Sequence, residues 1–200
     1  EEHSRATDLY LSAARRGNRD ARTKLSRILT QDKYDIGKEV VDDFKKLLPS
    51  GNPSLYYDYA DLIMKTAWDN EGRKEALLWY EKAAEHSNQN AMYQIALMYR
   101  DGNGPILDNA KHIEWMTKAA ENGHVPAQLF LGNMYRDGIK VECDEVEAFR
   151  WYEMAAKNNN LDAIYQVSTM YREGKGVEEN KEESERWLRM YARHGLFRQI

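Results

Sequence analysis

The sequence predicts an all-α solenoid, built from antiparallel helix pairs stacked with a 36-residue period. Three observations predict it. Trp79, Trp115, Trp151 and Trp187 follow one another at steps of 36 residues. Other columns keep the same step without a gap: the pairs Ala83-Ala84, Ala119-Ala120 and Ala155-Ala156; Ala91, Ala127 and Ala163; Tyr99, Tyr135 and Tyr171; Gly102, Gly138 and Gly174. Within each period, apolar residues fall three and four apart on two segments separated by Gly or Asn, the pattern of two short helices. One such hairpin cannot bury its own apolar face, so a fixed period of this length means stacked units that share a core.

The unit containing Ala127 shows each element. Helix A is expected from Pro126 to Arg136. Pro126 suits a first helical turn, Ala127, Leu131 and Tyr135 share one face, and Gly138 can take the left-handed conformation that ends a helix. The loop DGIKVECD leads to helix B, expected from Glu145 to Lys157, with Phe149, Tyr152 and Ala156 on its apolar side. The NNN at 158–160 closes it, since asparagine tolerates left-handed backbone. Short connections make the pair antiparallel.

In this register the repeats run 55–90, 91–126, 127–162 and 163–200, the last ending in HGLFRQI as the start of a further helix. Residues 1–54 read as degenerate repeats. LYLSAARRGNRDA looks like the end of a helix B, RTKLSRIL like a helix A and GKEVVDDFKKLL like a helix B, with TQDKYDI as a loop lacking the glycine pair. The array is therefore expected to be cut at both ends or capped atypically.

One column is uniformly small: Ala60, Ala96, Gly132 and Ser168. A glycine within a helix costs ~1 kcal/mol against alanine. The column keeps size rather than chemistry, so Gly132 is expected to let two helix backbones approach closely.

The pattern A-x-x-x-L-G-x-x-Y-x-x-G, a loop, then W-Y-x-x-A-A resembles the Sel-one-like (Sel1-like) repeat family, related to tetratricopeptide repeats. It is carried by Ala127, Leu131, Gly132, Tyr135, Gly138, Trp151, Tyr152, Ala155 and Ala156. Ala96 and Ser168 depart from the helix-A glycine, and Lys140 stands where Gly104 and Gly176 give the loop its second glycine. The resemblance covers residues 55–195 well and 1–54 weakly. It implies a right-handed α-solenoid of about five helix pairs with the A helices lining a concave surface. It also implies a protein–protein interaction scaffold or adaptor, in signalling, secretion, cell-envelope assembly or host-interaction settings, often bacterial.

On a helical wheel of about 100° per residue, Ala127, Leu131, Gly132, Met134 and Tyr135 define the core arc of helix A. Leu129, Asn133, Arg136 and Phe130 point away from it. Their columns are Tyr57, Tyr93, Leu129, Tyr165; Asp61, Leu97, Asn133, Thr169; Met64, Arg100, Arg136, Arg172; and Asp58, Gln94, Phe130, Gln166. If the A helices line the groove, as the resemblance implies, these residues form a candidate site for a peptide or protein loop. Tyr and Arg are the types enriched at binding hot spots. The competing role is structural: the tyrosines pack between repeats, and the arginines meet the terminal carbonyls of their helices.

Other chemistry finds little support. Charged residues make up 31% of the chain and the net charge is −4, which predicts a soluble, mildly acidic protein. No basic block suggests nucleic acid, and no apolar run approaches the length of a membrane span. The chain opens on EEHSRATDLY without methionine, so the lack of a signal peptide says little. The one cysteine, Cys143, excludes an internal disulfide and a cysteine zinc cluster, and its acidic neighbours argue against a reactive thiol. His86, His124 and His194 lie near helix B termini, where a cation is favoured. DGNGPILD lacks the later ligands of a calcium loop. EENKEESE reads as a solvated face. No nucleophile elbow, phosphate loop or dinucleotide fingerprint occurs. The expectation is therefore a non-enzyme without metal or cofactor that binds another protein. The alternative is a scaffold for cell-envelope or exopolysaccharide assembly that contacts polysaccharide-assembly machinery. The single cysteine fits cytoplasm or periplasm, and a periplasmic or secreted setting is marginally favoured.

Overall fold

The computed structural model describes residues 44–46, 48, 53–66, 69–102 and 107–196. Among these residues there are eight helices and no strand: α1 (Pro53–Thr66), α2 (Asn70–Glu85), α3 (Gln89–Asp101), α4 (Asn109–Glu121), α5 (Val125–Asp137), α6 (Glu145–Lys157), α7 (Leu161–Glu173) and α8 (Lys181–Leu196). The odd-numbered helices are A helices and the even-numbered ones B helices, in the all-α repeat-solenoid class expected from the period. Helix α6 has the expected bounds, and α5 runs one residue further at each end. His194–Leu196 continue α8 instead of opening a further helix. Phe197–Ile200 lie outside the described residues, as do the elements expected before residue 44.

The chain divides into two compact units, one reaching His112 and the other starting at Ile113. In the first, α1 packs on α2 and α2 on α3. Its core is aromatic around Tyr59, which is fully buried, stacks on Phe44 and meets Trp79 edge-on at 5.4 Å. In the second, α5 packs on α6, α6 on α7 and α7 on α8. There the core is built from Ala148, Tyr152, Ala155, Ala156, Ala163, Ile164, Val167 and Met170. The tryptophans that mark the period are roofed by cations: Lys82 sits 4.0 Å over Trp79 and Lys118 4.3 Å over Trp115, a favourable contact of the ammonium with the ring face.

The periodic polar residues are mostly caps. Asn88, His124 and Asn160 accept the backbone N–H three residues on and start α3, α5 and α7. Asp108, Asp144 and Asn180 do the same for α4, α6 and α8. Gly138 ends α5 at φ 64° and its N–H bonds the Met134 carbonyl, with Gly102 and Gly174 alike. Asn159 takes φ 60° after α6, the geometry expected of the NNN segment. Lys140 holds φ 67°, a left-handed conformation that its missing periodic glycine would adopt without cost.

The small column works differently from the expectation. A Cβ on Gly132 would lie 2.7 Å from two ring carbons of Tyr152. The glycine thus makes room for a buried tyrosine ring from helix B, where close approach of two backbones had been expected. The same column receives two buried hydrogen bonds that the sequence did not announce. His112 Nδ1 donates to the Ala96 carbonyl at 2.8 Å, and Ser184 Oγ donates to the Ser168 carbonyl at 2.7 Å.

His124 also departs from expectation. It is not a cation at the end of a B helix; its Nδ1 accepts the Ala127 N–H as the N-cap of α5. Burial holds its pKa below the ordinary histidine value. A protonated ring could not accept that bond and would face the positive end of the helix dipole. The folded pKa lies below the unfolded one, so the cap's contribution is complete above about pH 6.5 and is lost as pH falls through the folded value. Thermal melts should therefore drop between about pH 7 and pH 5, and His124→Asn, which restores the cap found at Asn88 and Asn160, should flatten that drop. Equal pH slopes in the two proteins would contradict the assignment.

Candidate functional site

The predicted site residues lie on A helices, and each unit is described by itself. In the first unit, Tyr57, Tyr93 and Leu97 are half-buried and Arg100 is exposed. The Tyr57 ring lies 5.7 Å from that of the buried Tyr80, and the Gln94 side chain acts to lower the pKa of the Tyr57 hydroxyl. Burial, with Asp61 and Asp58 nearby, pushes the Tyr57 hydroxyl up to about 12. Asp61 accepts a 2.6 Å hydrogen bond from Lys65. Tyr57 thus shares its ring with the core, the structural role weighed against binding, while Asp61 remains at the surface in an ion pair.

The arginines do not turn back to the helix carbonyls. Each grips the carboxylate that follows it in sequence. Arg100 is bidentate to Asp101 at 2.6 and 3.0 Å, Arg136 is bidentate to Asp137 at 2.7 and 2.9 Å, and Arg172 meets Glu173 at 3.3 Å. The hydrogen bond from Arg136 holds the Asp137 carboxyl below the usual carboxylate range, and that from Arg100 does so for Asp101. The arginines of this column are therefore ion-paired: Arg100 and Arg136 form neutral pairs, while Arg172 shares Glu173 with Lys175. The recurring Arg-acid dipeptide was the signal in the sequence that could have predicted it.

In the second unit the site gathers around Tyr152. Its hydroxyl donates to Asn133 Oδ1 at 2.7 Å, its ring lies on Gly132, and the Arg136 guanidinium carbon stands 6.0 Å from the ring centroid. Burial pushes the Tyr152 hydroxyl up to about 12, against the lowering effect of Arg136. Two predicted site residues, Asn133 and Arg136, are thus joined by a helix-B tyrosine that the sequence placed only in the core. Leu129 packs against the core cluster, and Phe130 is half-buried. Tyr165 is exposed, with its ring 6.0 Å from that of Tyr191. Thr169 carries a buried hydroxyl with no hydrogen-bond partner. A cleft of about 930 Å³ opens elsewhere in this unit, lined by Trp187, Met190, Tyr171, Arg186, Lys157 and Glu153 among others. Wheel reasoning on helix A had no means to find it, because α8 supplies most of its wall.

Cys143 is exposed, and its thiol donates to the Arg136 carbonyl at 3.3 Å. Among the described residues, no group of three or more His, Cys, Asp or Glu is placed to hold a metal ion. No described helix is long and apolar enough to cross a membrane.

The family model for the Sel1 repeat matches residues 71–88, 89–124, 125–160 and 161–196. Its full-length repeats begin two residues before the register set by the alanines. In structure the chain is similar to a Sel1 repeat protein from Oxalobacter formigenes, with 27% identity, a TM-score of 0.74, and coverage of 94% of this chain and 56% of that one. It is also similar to a protective antigen with an SLR fold from uropathogenic Escherichia coli, with 29% identity, a TM-score of 0.66, and coverage of 94% and 41%. An immunity protein from Pseudomonas aeruginosa shares the fold at 22% identity, a TM-score of 0.54, and coverage of 94% and 72%. The chain spans about half the length of the first two relatives or less. No curated protein matches it.

The Tyr152 environment makes a prediction with a definite sign. Its folded pKa lies above the unfolded value, so its contribution is complete below about pH 10 and is lost as pH rises to about 12. Tyr152→Phe should cost about 1 kcal/mol at neutral pH by leaving Asn133 without its donor. It should also make the alkaline loss shallower, as read from denaturant unfolding at a series of alkaline pH values. A variant as pH-sensitive as the wild type would show that another group controls the alkaline loss.

Proposed function

Because the chain belongs to the Sel1 repeat family, whose members generally act as protein-interaction scaffolds, we propose that it holds a partner protein or peptide against the outward faces of its A helices. The observation that carries this reading is the recurrence of surface arginines paired with their neighbouring carboxylates, beside aromatic side chains, on the outward arc of α3, α5 and α7. A bidentate pair uses two of the five guanidinium N–H donors and leaves carboxylate lone pairs open. It presents donors and acceptors together in a fixed orientation and with little net charge. That chemistry suits the amide groups of a peptide main chain better than an acidic or basic ligand.

The contacts differ in weight. Arg100, Arg136, Arg172 and Tyr165 are exposed and free to meet a partner. Tyr93 and Leu97 in the first unit, and Phe130 and Thr169 in the second, are half-buried and add apolar surface on their own helices. Tyr57 in the first unit, and Leu129 and Asn133 in the second, give part of their side chains to intramolecular packing or bonding. Asp61 stays at the surface in its pair with Lys65.

The test is affinity capture by the immobilised chain beside the double variant Arg100→Ala with Arg172→Ala. Both positions are exposed, so helicity and melting temperature should hold. A partner retained by the wild type and lost with the variant is the expected result. Equal retention by both would overturn this assignment of the binding face.

A further inference from the structure

The cleft of about 930 Å³ in the second unit is walled by the B helices α6 and α8 and by the last turn of α7. Its volume is at the upper end of the range usual for ligand sites, about 300–1,000 Å³. Tyr171, Trp187 and Met190 are its half-buried apolar residues. Trp187 differs from the other periodic tryptophans. Lys82 roofs Trp79, Lys118 roofs Trp115, and the Arg150 guanidinium stands 5.4 Å from the Trp151 ring centroid. Met190 occupies the column of Lys82 and Lys118. Arg186, in the column of Arg150, pairs with Glu183 at 3.3 Å. Among the described residues, no cation stands over the Trp187 ring. The ring is left for a flat apolar group, with Met190 and Tyr171 in the same cleft.

Among the described residues, the charged groups of the lining are Lys157, Arg186, Arg189 and Arg193 against Glu153 and Glu183. Lys157 pairs with Glu153 at 2.8 Å and Arg186 with Glu183 at 3.3 Å, so both carboxylates are already matched. Arg189 meets Glu185, which lies outside the lining, only at 3.5 Å. Arg193 makes no ion pair with a described residue. A chain of net charge −4 thus gathers positive charge around an aromatic cleft. The rim stays at the surface when a repeat follows. Arg150, Glu153, Met154 and Lys157 hold the columns of Arg186, Arg189, Met190 and Arg193, and they are exposed or half-buried although α7 and α8 come after them. Trp79 and Trp115 are half-buried like Trp187, while Trp151 is buried.

We propose that this cleft binds an acidic peptide segment, which sets one aromatic side chain against Trp187 and its carboxylates on Arg189 and Arg193. Offset or edge-to-face contact with the Trp187 and Tyr171 rings holds the anchor, and guanidinium groups take carboxylates in a fixed fork. From Arg186 to Arg193 the helix rises about 10 Å. That spacing suits separate carboxylates along a segment of chain, not one small anion. Unlike charge at the rim also turns away basic segments. The site stands on B helices and does not depend on the binding face proposed for the A helices.

Fluorescence anisotropy of the 200-residue chain with a fluorescein-labelled Glu-Glu-Phe-Glu-Glu peptide tests it at low salt. Saturable binding to the wild type is expected. Arg193→Glu, at an exposed position, should weaken it about tenfold or more and keep its helicity by circular dichroism. Trp187→Leu should weaken it as well. If that variant loses helicity, exchanging the peptide's phenylalanine for alanine removes the same contact and should weaken binding alike. A Lys-Lys-Phe-Lys-Lys peptide should bind about tenfold more weakly or worse. Arg100→Ala with Arg172→Ala should bind the acidic peptide as the wild type does, which separates this cleft from the A-helix face. No saturable binding, equal binding of the basic or the alanine peptide, or full binding by Arg193→Glu would each overturn the proposal. A peptide lost with the Arg100 and Arg172 variant but kept by Arg193→Glu would place it on the A helices and overturn this site too.

Discussion

Helices A and B of a pair meet where helix A carries a small side chain, Ala96, Gly132 or Ser168, and that meeting governs the rest of the repeat. At Gly132 a buried tyrosine ring from helix B lies on the bare backbone of helix A. At Ala96 and Ser168 a polar side chain from helix B reaches the carbonyl of the small residue itself. A larger residue would push the partner helix away and leave buried donors without their acceptors, at a cost of about 1–3 kcal/mol for each unsatisfied group. The alanine pairs of helix B are buried completely or nearly so for the same reason. Close approach confines packing to one arc of each helix, and the caps then hold each helix end in register with the next element.

The proposed function rests on what that arc leaves out. The small column, the alanines and the core aromatics carry most of the packing, and the outward arc of the A helices is shared between packing at Tyr57, Leu129 and Asn133 and exposed side chains at Arg100, Arg136, Arg172 and Tyr165. The chain places tyrosines, arginines and the arginines' carboxylate partners there. The boundary between packing and binding is not sharp. Tyr152 belongs to the core through Gly132 and to the surface through Asn133 and Arg136, so a change at those two surface residues is felt one layer down.

The period, the limits of α5 and α6 and the left-handed residues that close helices were legible in the sequence because they depend on local rules; the N-caps were not read. A glycine at φ 64° after α5 and an asparagine at φ 60° after α6 answer to backbone sterics alone. The core arc of helix A was equally legible, since burial repeats every three to four residues. Pairing across helices was not. Nothing local says that His112 reaches Ala96, that His124 is a neutral cap, or that Gly132 faces a ring. The arginines were read through the helix-terminus rule, when the adjacent acid was the nearer and stronger partner. The altered face of α8 was visible in the columns, but its meaning depends on knowing which column positions are buried.

The close approach of helix A to helix B is tested most directly by a double-mutant cycle on Gly132 and Tyr152, read by denaturant unfolding. In the wild-type background Gly132→Ala should destabilise the chain, because ~1–3 kcal/mol of overpacking exceeds the ~1 kcal/mol gained in helix propensity. In a Tyr152→Leu background, with the ring gone, the same substitution should be neutral or stabilising. A Gly132→Ala change that stabilises both backgrounds equally would show that the ring does not need the glycine, and would contradict the account.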